Sequence, residues 1–330
     1  MKLKFKVIIL LFVIVGILST SIIIANAASG TYGQVTKYNG TWTAKVDGSV
    51  VYTGSRMFDA VNTCINNMSS GTVHILNSGD SGESGGNIYS INPKSNMTLD
   101  FHGCTINCNS SDLLVVPVRA RGKSNVTVKN LNVKGTPRYV VWFTGGCKNT
   151  TFTNITALTT RGNGIRVADS GTSNLTINGN IDLHTVGHCI ETFTVDGVDI
   201  GTVTVQSDNG CGVLLNDSEN CEIDAIWAYH CDENGSYAGF RVANDNGKTH
   251  CAYLRARWCG RGLYSISDSH NLTVDNVDID DCDTAGISVT GTCRDVYVKS
   301  GTVSNSNKNV DIWNGAYNIQ INVNGKTYKQ

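Results

Sequence analysis

Proline is nearly missing from this chain, with three residues in 330, and charged side chains make up only 16% against 35 glycines. That composition excludes proline-rich and strongly charged disordered chains, and it suits a turn-rich all-β protein. An excess of basic side chains is missing too, with 26 Lys and Arg against 27 Asp and Glu. Nucleic acid and anionic membrane surfaces are therefore not expected partners, because both need a basic face. No Cys-x-x-Cys pair occurs, so the commonest sequence mark of structural zinc is lacking. After Ile24 no apolar run is long enough to cross a bilayer.

Residues 1–27 read as a secretory signal. Lys2, Lys4 and Lys6 precede an apolar run from Val7 to Ile24, followed by Ala25-Asn26-Ala27 as a small-residue cleavage site. The expected product begins near Ala28 and is secreted, extracellular, monomeric and free of the membrane. Losing three lysines and no acids leaves it with 23 basic and 27 acidic side chains, a net charge of −4. The same apolar run is also long enough for a retained anchor.

From Asn125 onward the chain repeats about every 24 residues. Stretches beginning at Val140, Ile165, Ile190, Val213, Phe240, Leu263, Ile287 and Val310 are separated by 25, 25, 23, 27, 23, 24 and 23 residues. A second series, Leu131, Ile155, Ile181, Val203, Ile226, Leu254, Val277 and Val303, keeps the period. A strand-forming repeat of this size cannot bury its apolar side alone and must stack on copies of itself. The expected fold is all-β, a parallel β-helix over 91–330.

Residues 28–90 fall outside the period. Alternation from Tyr32 to Tyr52, with turns at Asn39-Gly40 and Asp47-Gly48, predicts a hairpin. Ser55 to Met68 predicts a helix with Ser55 as N-cap and Met57, Ala60, Val61, Cys64 and Ile65 on one face. A solenoid's first coil exposes an apolar cross-section, so this helix is expected to cap it, in one domain with the coils. The Gly- and Ser-rich stretch from Asn77 to Asn87 is expected to be a loop able to lie over a binding face. Among the twelve cysteines, Cys189, Cys211, Cys231, Cys259 and Cys282 precede successive core strands. In-register stacking permits either disulfides or buried thiols acting as small hydrophobes.

Alternation then assigns the outer face. If Ile165, Ile190 and their counterparts point inward, the residues after them form an outer stripe: Val141, Arg166, Glu191, Leu214, Arg241, Tyr264, Ser288 and Asp311. Two positions on lies a parallel stripe of Phe143, Ala168, Phe193, Asn216, Ala243, Ile266, Thr290 and Trp313. Arg166 beside Glu191 is an ordinary cross-strand ion pair taken alone. With Arg241 two rungs beyond, and Phe193, Tyr264 and Trp313 as flat platforms, the stripe is the densest chemistry the sequence defines. Arg166, Glu191 and Arg241 are the candidate catalytic residues. His188, Phe193, Asn216, Asp217, Asn244, Arg261 and Tyr264 are the candidate substrate contacts, with His188 read either as a base or as a structural histidine. Asn96, Asn125, Asn149, Asn174 and Asn271 open strands after turns and are expected to stack. Asp169, Asp217, Asp245 and Asp268 end strands; they are turn formers, or a row able to hold Ca2+.

The stacked short strands and Asn-x-Thr turns resemble the right-handed parallel β-helix superfamily of pectate lyases, polygalacturonases and related polysaccharide-active proteins. Ile190-Glu191-Thr192-Phe193-Thr194-Val195-Asp196, Gly212-Val213-Leu214-Leu215-Asn216-Asp217, Gly239-Phe240-Arg241-Val242-Ala243-Asn244 and Gly260-Arg261-Gly262 are similar to secreted pectin-lyase-like proteins. The resemblance implies a right-handed coil and a polysaccharide partner. Polygalacturonase motifs are not matched: only Gly187-His188-Cys189 stands near Gly-His-Gly, and Asp280-Asp281 comes late in the chain. Calcium-dependent pectate lyases use an acidic cluster plus an arginine or lysine base; the resemblance implies the arginine roles for Arg166 and Arg241 and identifies no acidic cluster. A uronan lyase with Arg241 or Arg166 as base and carboxylate clamp, oriented by Glu191, is the leading expectation. Its alternatives are a glycoside hydrolase pairing Glu191 with Asp169, Asp196 or Asp217, and a non-catalytic carbohydrate-binding solenoid.

Overall fold

The structure, a computed structural model, describes residues 30–330. The signal segment and its cleavage site lie outside the described residues. No helix among the described residues is long and apolar enough to cross a membrane.

The chain is a right-handed parallel β-helix of about ten turns with one short helix near its N-terminus. Parallel ladders link each coil to the next: Leu131 pairs with Ile155, Ile155 with Ile181, Ile181 with Val203 and Val203 with Ile226, and so on to Val277. The second series slips at its last member. Gly301, at φ 141, takes the place opposite Val277, and Val303 pairs with Ile279. Both series point inward and fill one continuous apolar core.

Rungs already stack within the segment expected to be a cap. Strand Met68–Ile75 pairs in parallel with Gly30–Tyr38 on one side and Met97–Asp100 on the other. The two predicted turns are present: Asn39 and Gly40 (φ 47 and 81) and Asp47 and Gly48 (φ 46 and 84) join three antiparallel strands, both residues of each turn left-handed as a type I′ turn requires. The helix runs Met57–Asn66 and buries Met57, Phe58, Ala60, Val61, Cys64 and Ile65. Its N-cap is Arg56, with no side-chain cap bond, so Ser55 does not cap it. The loop after Asn77 is tied down locally: Arg56 donates to the Glu83 carbonyl and Ser110 to the Glu83 carboxylate. Pro117 sits in a strand only because the ladder steps over it, Ser90 pairing with Val116 and Ile91 with Val118.

Stacked asparagines hold the turns. Asn125 donates to Asn96 at 2.7 Å, Asn149 to Asn125 at 2.9 Å and Asn174 to Asn149 at 2.9 Å, all in the left-handed region that asparagine tolerates. All twelve cysteines are unpaired thiols, eleven of them buried. Cys189, Cys231, Cys259 and Cys282 lie in the main core as expected for stacked small hydrophobes, and burial pushes Cys189 up to about 12. Cys211 breaks that alignment and packs outside the core, against Leu214 and Ala243.

A corner precedes the first-series strands, where two successive residues face the core. Gly164, Gly212, Gly239, Gly262 and Gly286 occupy it in five coils. A Cβ on Gly262 would stand 2.6 Å from both the Gly286 carbonyl oxygen and Ile279. Val140 fills it in another coil, and both Val140 and Val141 are fully buried. That explains a one-residue slip in the sequence reading. Val141, not Val140, is the register partner of Ile165, so Val141 and Phe143 point inward and Trp142 takes the outer place.

Candidate functional site

One wall of the solenoid carries the chemistry. Register partners place Arg119, Trp142, Arg166, Glu191, Leu214, Arg241, Tyr264, Ser288 and Asp311 in one unbroken column. From Arg166 to Asp311 this is the stripe that alternation gives. Trp142 replaces Val141, and Arg119 extends the column by one further rung. Arg138, His188 and Tyr237, just before the strands, and Tyr139 and Arg261, at strand starts, line its flank.

Cations and rings interleave on this wall. The Arg119 guanidinium lies 4.8 Å from the Trp142 ring centroid, and Arg138 lies 5.6 Å from it. Arg241 sits between Tyr237 and Tyr264, 5.4 Å from each, and Arg261 lies 4.3 Å from Tyr264. Such contacts hold a planar guanidinium without consuming its terminal donors. Tyr264 is consequently buried, 7% exposed, and is packing between two arginines rather than an open platform; Trp313, at 50%, is open. The Nε atoms of Arg119, Arg241 and Arg261 are covered and unpartnered. Arg261 does donate through Nη1 to the Ser236 carbonyl.

Carboxylates are scarce here. Arg166 forms an ion pair with Glu191, whose residue is 8% exposed. Arg119, Arg138, Arg241 and Arg261 have no carboxylate partner among the described residues. Five guanidinium groups stand here against two carboxylates, Glu191 held by Arg166 and Asp311 held by Lys308, which concentrates positive potential on one wall of a chain with almost no net charge.

His188 flanks the column, its ring edge-on to Tyr237 with centroids 5.1 Å apart. Its Nδ1 accepts the Cys211 backbone N–H at 2.9 Å, so the neutral ring carries its proton on Nε2. Burial pushes His188 below the ordinary imidazole value; Arg241 and Arg166 add to this against the pull of Glu191. His188 is thus a neutral N–H donor, and a base role does not fit it. His184, four residues earlier, turns to Asp208 instead.

Asn216, Asp217 and Asn244 lie two or more residues further along their strands, away from the guanidinium groups. Asn244 donates to Asn216 at 2.7 Å and Thr194 to Asp217 at 3.1 Å, so they close turns. Phe193 is half-buried in register with Asn216. The aspartates of the expected cation row are spread among left-handed turns, at φ 83, 47, 60 and 64 for Asp169, Asp217, Asp245 and Asp268. Among the described residues, the only three His, Cys, Asp or Glu side chains whose ligand atoms gather are His74, Asp100 and His102. A depression of about 370 Å³ on another wall is lined by Asn174, Thr176, Asp199 and Glu222 among others, with no arginine or ring.

The Arg166–Glu191 pair should report on itself. Glu191→Gln is expected to lower stability by about 1–3 kcal/mol, between the values for exposed and buried pairs. Arg166→Gln should cost a similar amount. Urea melts of the two single variants and the double variant should then show a loss smaller than the sum by more than about 0.5 kcal/mol. Simple additivity would mean that the pair does not hold Arg166 in place.

No family model matches the chain, and no curated protein matches it. Three solved structures are similar to it. The A-module of the Azotobacter vinelandii mannuronan C-5 epimerase AlgE4 is 13% identical, with 76% of this chain and 73% of that one covered, at a TM-score of 0.41. The A-module of the epimerase AlgE6 from the same organism is also 13% identical, with 82% and 94% covered, at 0.35. The catalytic domain of a GH87 α-1,3-glucanase in complex with nigerose is 12% identical, with 91% and 70% covered, at 0.33. Likenesses this distant say nothing about residue roles or substrate. The β-helix rests on the strand register.

Proposed function

We propose that this chain is a secreted, monomeric enzyme that binds a uronate-containing, pectin-like polysaccharide along its arginine wall and cleaves it by β-elimination. The observation that supports this most is the imbalance of charge: four guanidinium groups without carboxylate partners stand on a wall whose two carboxylates, Glu191 and Asp311, are already held by Arg166 and Lys308. A polymer bearing a carboxylate on its sugars supplies the missing partners. Its apolar sugar faces match the patch where Tyr237 and Ile266 cover Cys211, Leu214 and Ala243. The arginines lie along one column and its flank on a near-neutral chain, which suits one bound glycan strand and not a nucleic acid.

Hydrolysis needs two carboxylates across the scissile bond. Glu191 has no such partner. Asp169 accepts the Gly145 N–H, Asp217 the Thr194 hydroxyl and Asp196 the Asn220 amide. Elimination needs a cation at the substrate carboxylate, which acidifies the neighbouring C–H, and a base for that proton. Arg241, with Arg261 behind Tyr264, serves as the clamp, and no calcium is required. Glu191 orients Arg166 as a second clamp.

The base is better assigned to a phenol than to arginine, because a guanidinium does not lose its proton in proteins. Tyr237 is half-buried between His188 and Arg241. Its phenolate oxygen takes the proton from the carbon bearing the carboxylate, the freed electron pair becomes the C=C bond, and the bond from the β-carbon to the glycosidic oxygen breaks. That oxygen takes the proton back from the phenol while His188 Nε2–H donates a hydrogen bond to it.

The test is an array of pectin, rhamnogalacturonan, alginate and glucuronan, with and without chelator, followed by ultraviolet absorbance of the unsaturated product and by new reducing ends. On at least one uronan both signals should rise together, chelator or not. Reducing ends without absorbance would overturn the reading in favour of a hydrolase. Retention on polymer with neither product would overturn it in favour of a binding solenoid.

A further inference from the structure

His74, Asp100 and His102 lie in the first coils and take no part in the chemistry of the arginine wall. His74, on strand Met68–Ile75, is the register partner of Asp100 on strand Met97–Asp100. His102 follows in a left-handed turn at φ 51, and its backbone N–H donates to Asp100 Oδ1 at 3.0 Å, folding the ring back over the carboxylate. His74 Nδ1 and His102 Nε2 are thereby 2.8 Å apart, and His102 Nε2 is 3.6 Å from Asp100 Oδ2. All three ligand atoms lie within 4.8 Å of one another.

We infer that His74 Nδ1, His102 Nε2 and Asp100 Oδ2 form a binding site for a divalent cation of the zinc type. Two imidazoles and one carboxylate are a zinc donor set, whereas calcium takes six to eight oxygens. Metal–nitrogen bonds of about 2.0–2.1 Å at tetrahedral angles put two nitrogens about 3.3 Å apart, so the rings need to part by only about half an ångström. The His102 side chain, 42% exposed, has room to do so. Asp100 is prepared for the role: its side chain is 7% exposed, and Asn130 Nδ2 at 2.9 Å and the His102 N–H both occupy Oδ1, leaving Oδ2 to the ion. Outer partners that fix a ligand in this way are part of working metal sites.

One group opposes the ion. Lys129, on the next rung, holds its ammonium 3.1 Å from Asp100 Oδ2. Its flexible stem lets a metal displace it, at a cost in affinity. Because His74 also pairs with Gln34 on the first described strand, a bound ion would tie together three successive rungs. Zinc should therefore raise the melting temperature by mass action.

Calorimetric titration of the reduced, chelator-treated full chain with Zn2+ and with Ca2+ tests this. One zinc per chain is expected to bind at this site, and no calcium. His102→Ala should weaken zinc binding at least tenfold and abolish the zinc-dependent rise in melting temperature. Lys129→Gln should tighten binding at least threefold, a gain that damage to the fold cannot produce. Co2+ in place of Zn2+ should give a visible spectrum without a thiolate charge-transfer band. Absence of zinc binding, binding unchanged in both variants, or a thiolate band would overturn the site and leave a plain imidazole–imidazole hydrogen bond.

Discussion

Arg241→Ala is expected to lower kcat/KM on a uronan by about 10²–10³, the cost of removing one preorganised donor from a developing charge. The guanidinium is held between Tyr237 and Tyr264 and has no carboxylate partner among the described residues, so its charge is not spent on a carboxylate of the chain. Arg241→Lys keeps the charge but loses both the two-pronged geometry and the ring stacking, and should recover less than a tenth of the activity. Most of the loss should fall in kcat, because the substrate carboxylate gains negative charge as the neighbouring proton leaves. The fold should tolerate both changes: Arg241 lies on the outer face, while Val242, its neighbour in the strand, carries the core packing. Parallel rates of ultraviolet absorbance and melting curves check this. An alanine variant that keeps more than a third of wild-type activity would remove Arg241 from the clamp.

How much of this could be read from sequence depends on where each residue sits in its coil. Period and alternation together locate anything within a regular strand, so Arg166, Glu191, Arg241, Tyr264 and Asp311 fall in one column by counting alone. Counting fails where two apolar residues adjoin. Val140 and Val141 both face the core at a corner that glycine fills in other coils, and nothing in an apolar pair says which member continues the register. Arg119 was within reach, since Val118 precedes Val141 by 23 residues and extends the series backward. Arg138 and Tyr237 were not, and His188 was reached only by its closeness to Glu191 in the chain. They sit in turns of unequal length, where the side-chain direction follows the path that closes the coil and alternation no longer applies. The His74, Asp100 and His102 group has the same origin: its ligands come from two rungs and a turn, so no short spacing announces them.

The phenol of Tyr237 gives the sharpest separation of chemistry from architecture. Tyr237→Phe removes one oxygen and leaves the ring edge-on to His188 and beneath Arg241. Melting temperature should therefore stay within about two degrees, since a loss of less than about 0.5 kcal/mol moves a domain of this size by no more than that. Turnover should fall by about 10²–10⁴ with KM little changed, as for the loss of a positioned proton-transfer group. His188→Gln should behave differently, lowering the rate less than Tyr237→Phe does, because its neutral Nε2–H only donates to the departing oxygen. Tyr264→Phe serves as the control, since that ring is buried between Arg241 and Arg261 and holds the clamp through its face. Should Tyr237→Phe keep activity within threefold while Tyr264→Phe loses it, the proton passes through the inner phenol, and the wall works from one rung further along the solenoid.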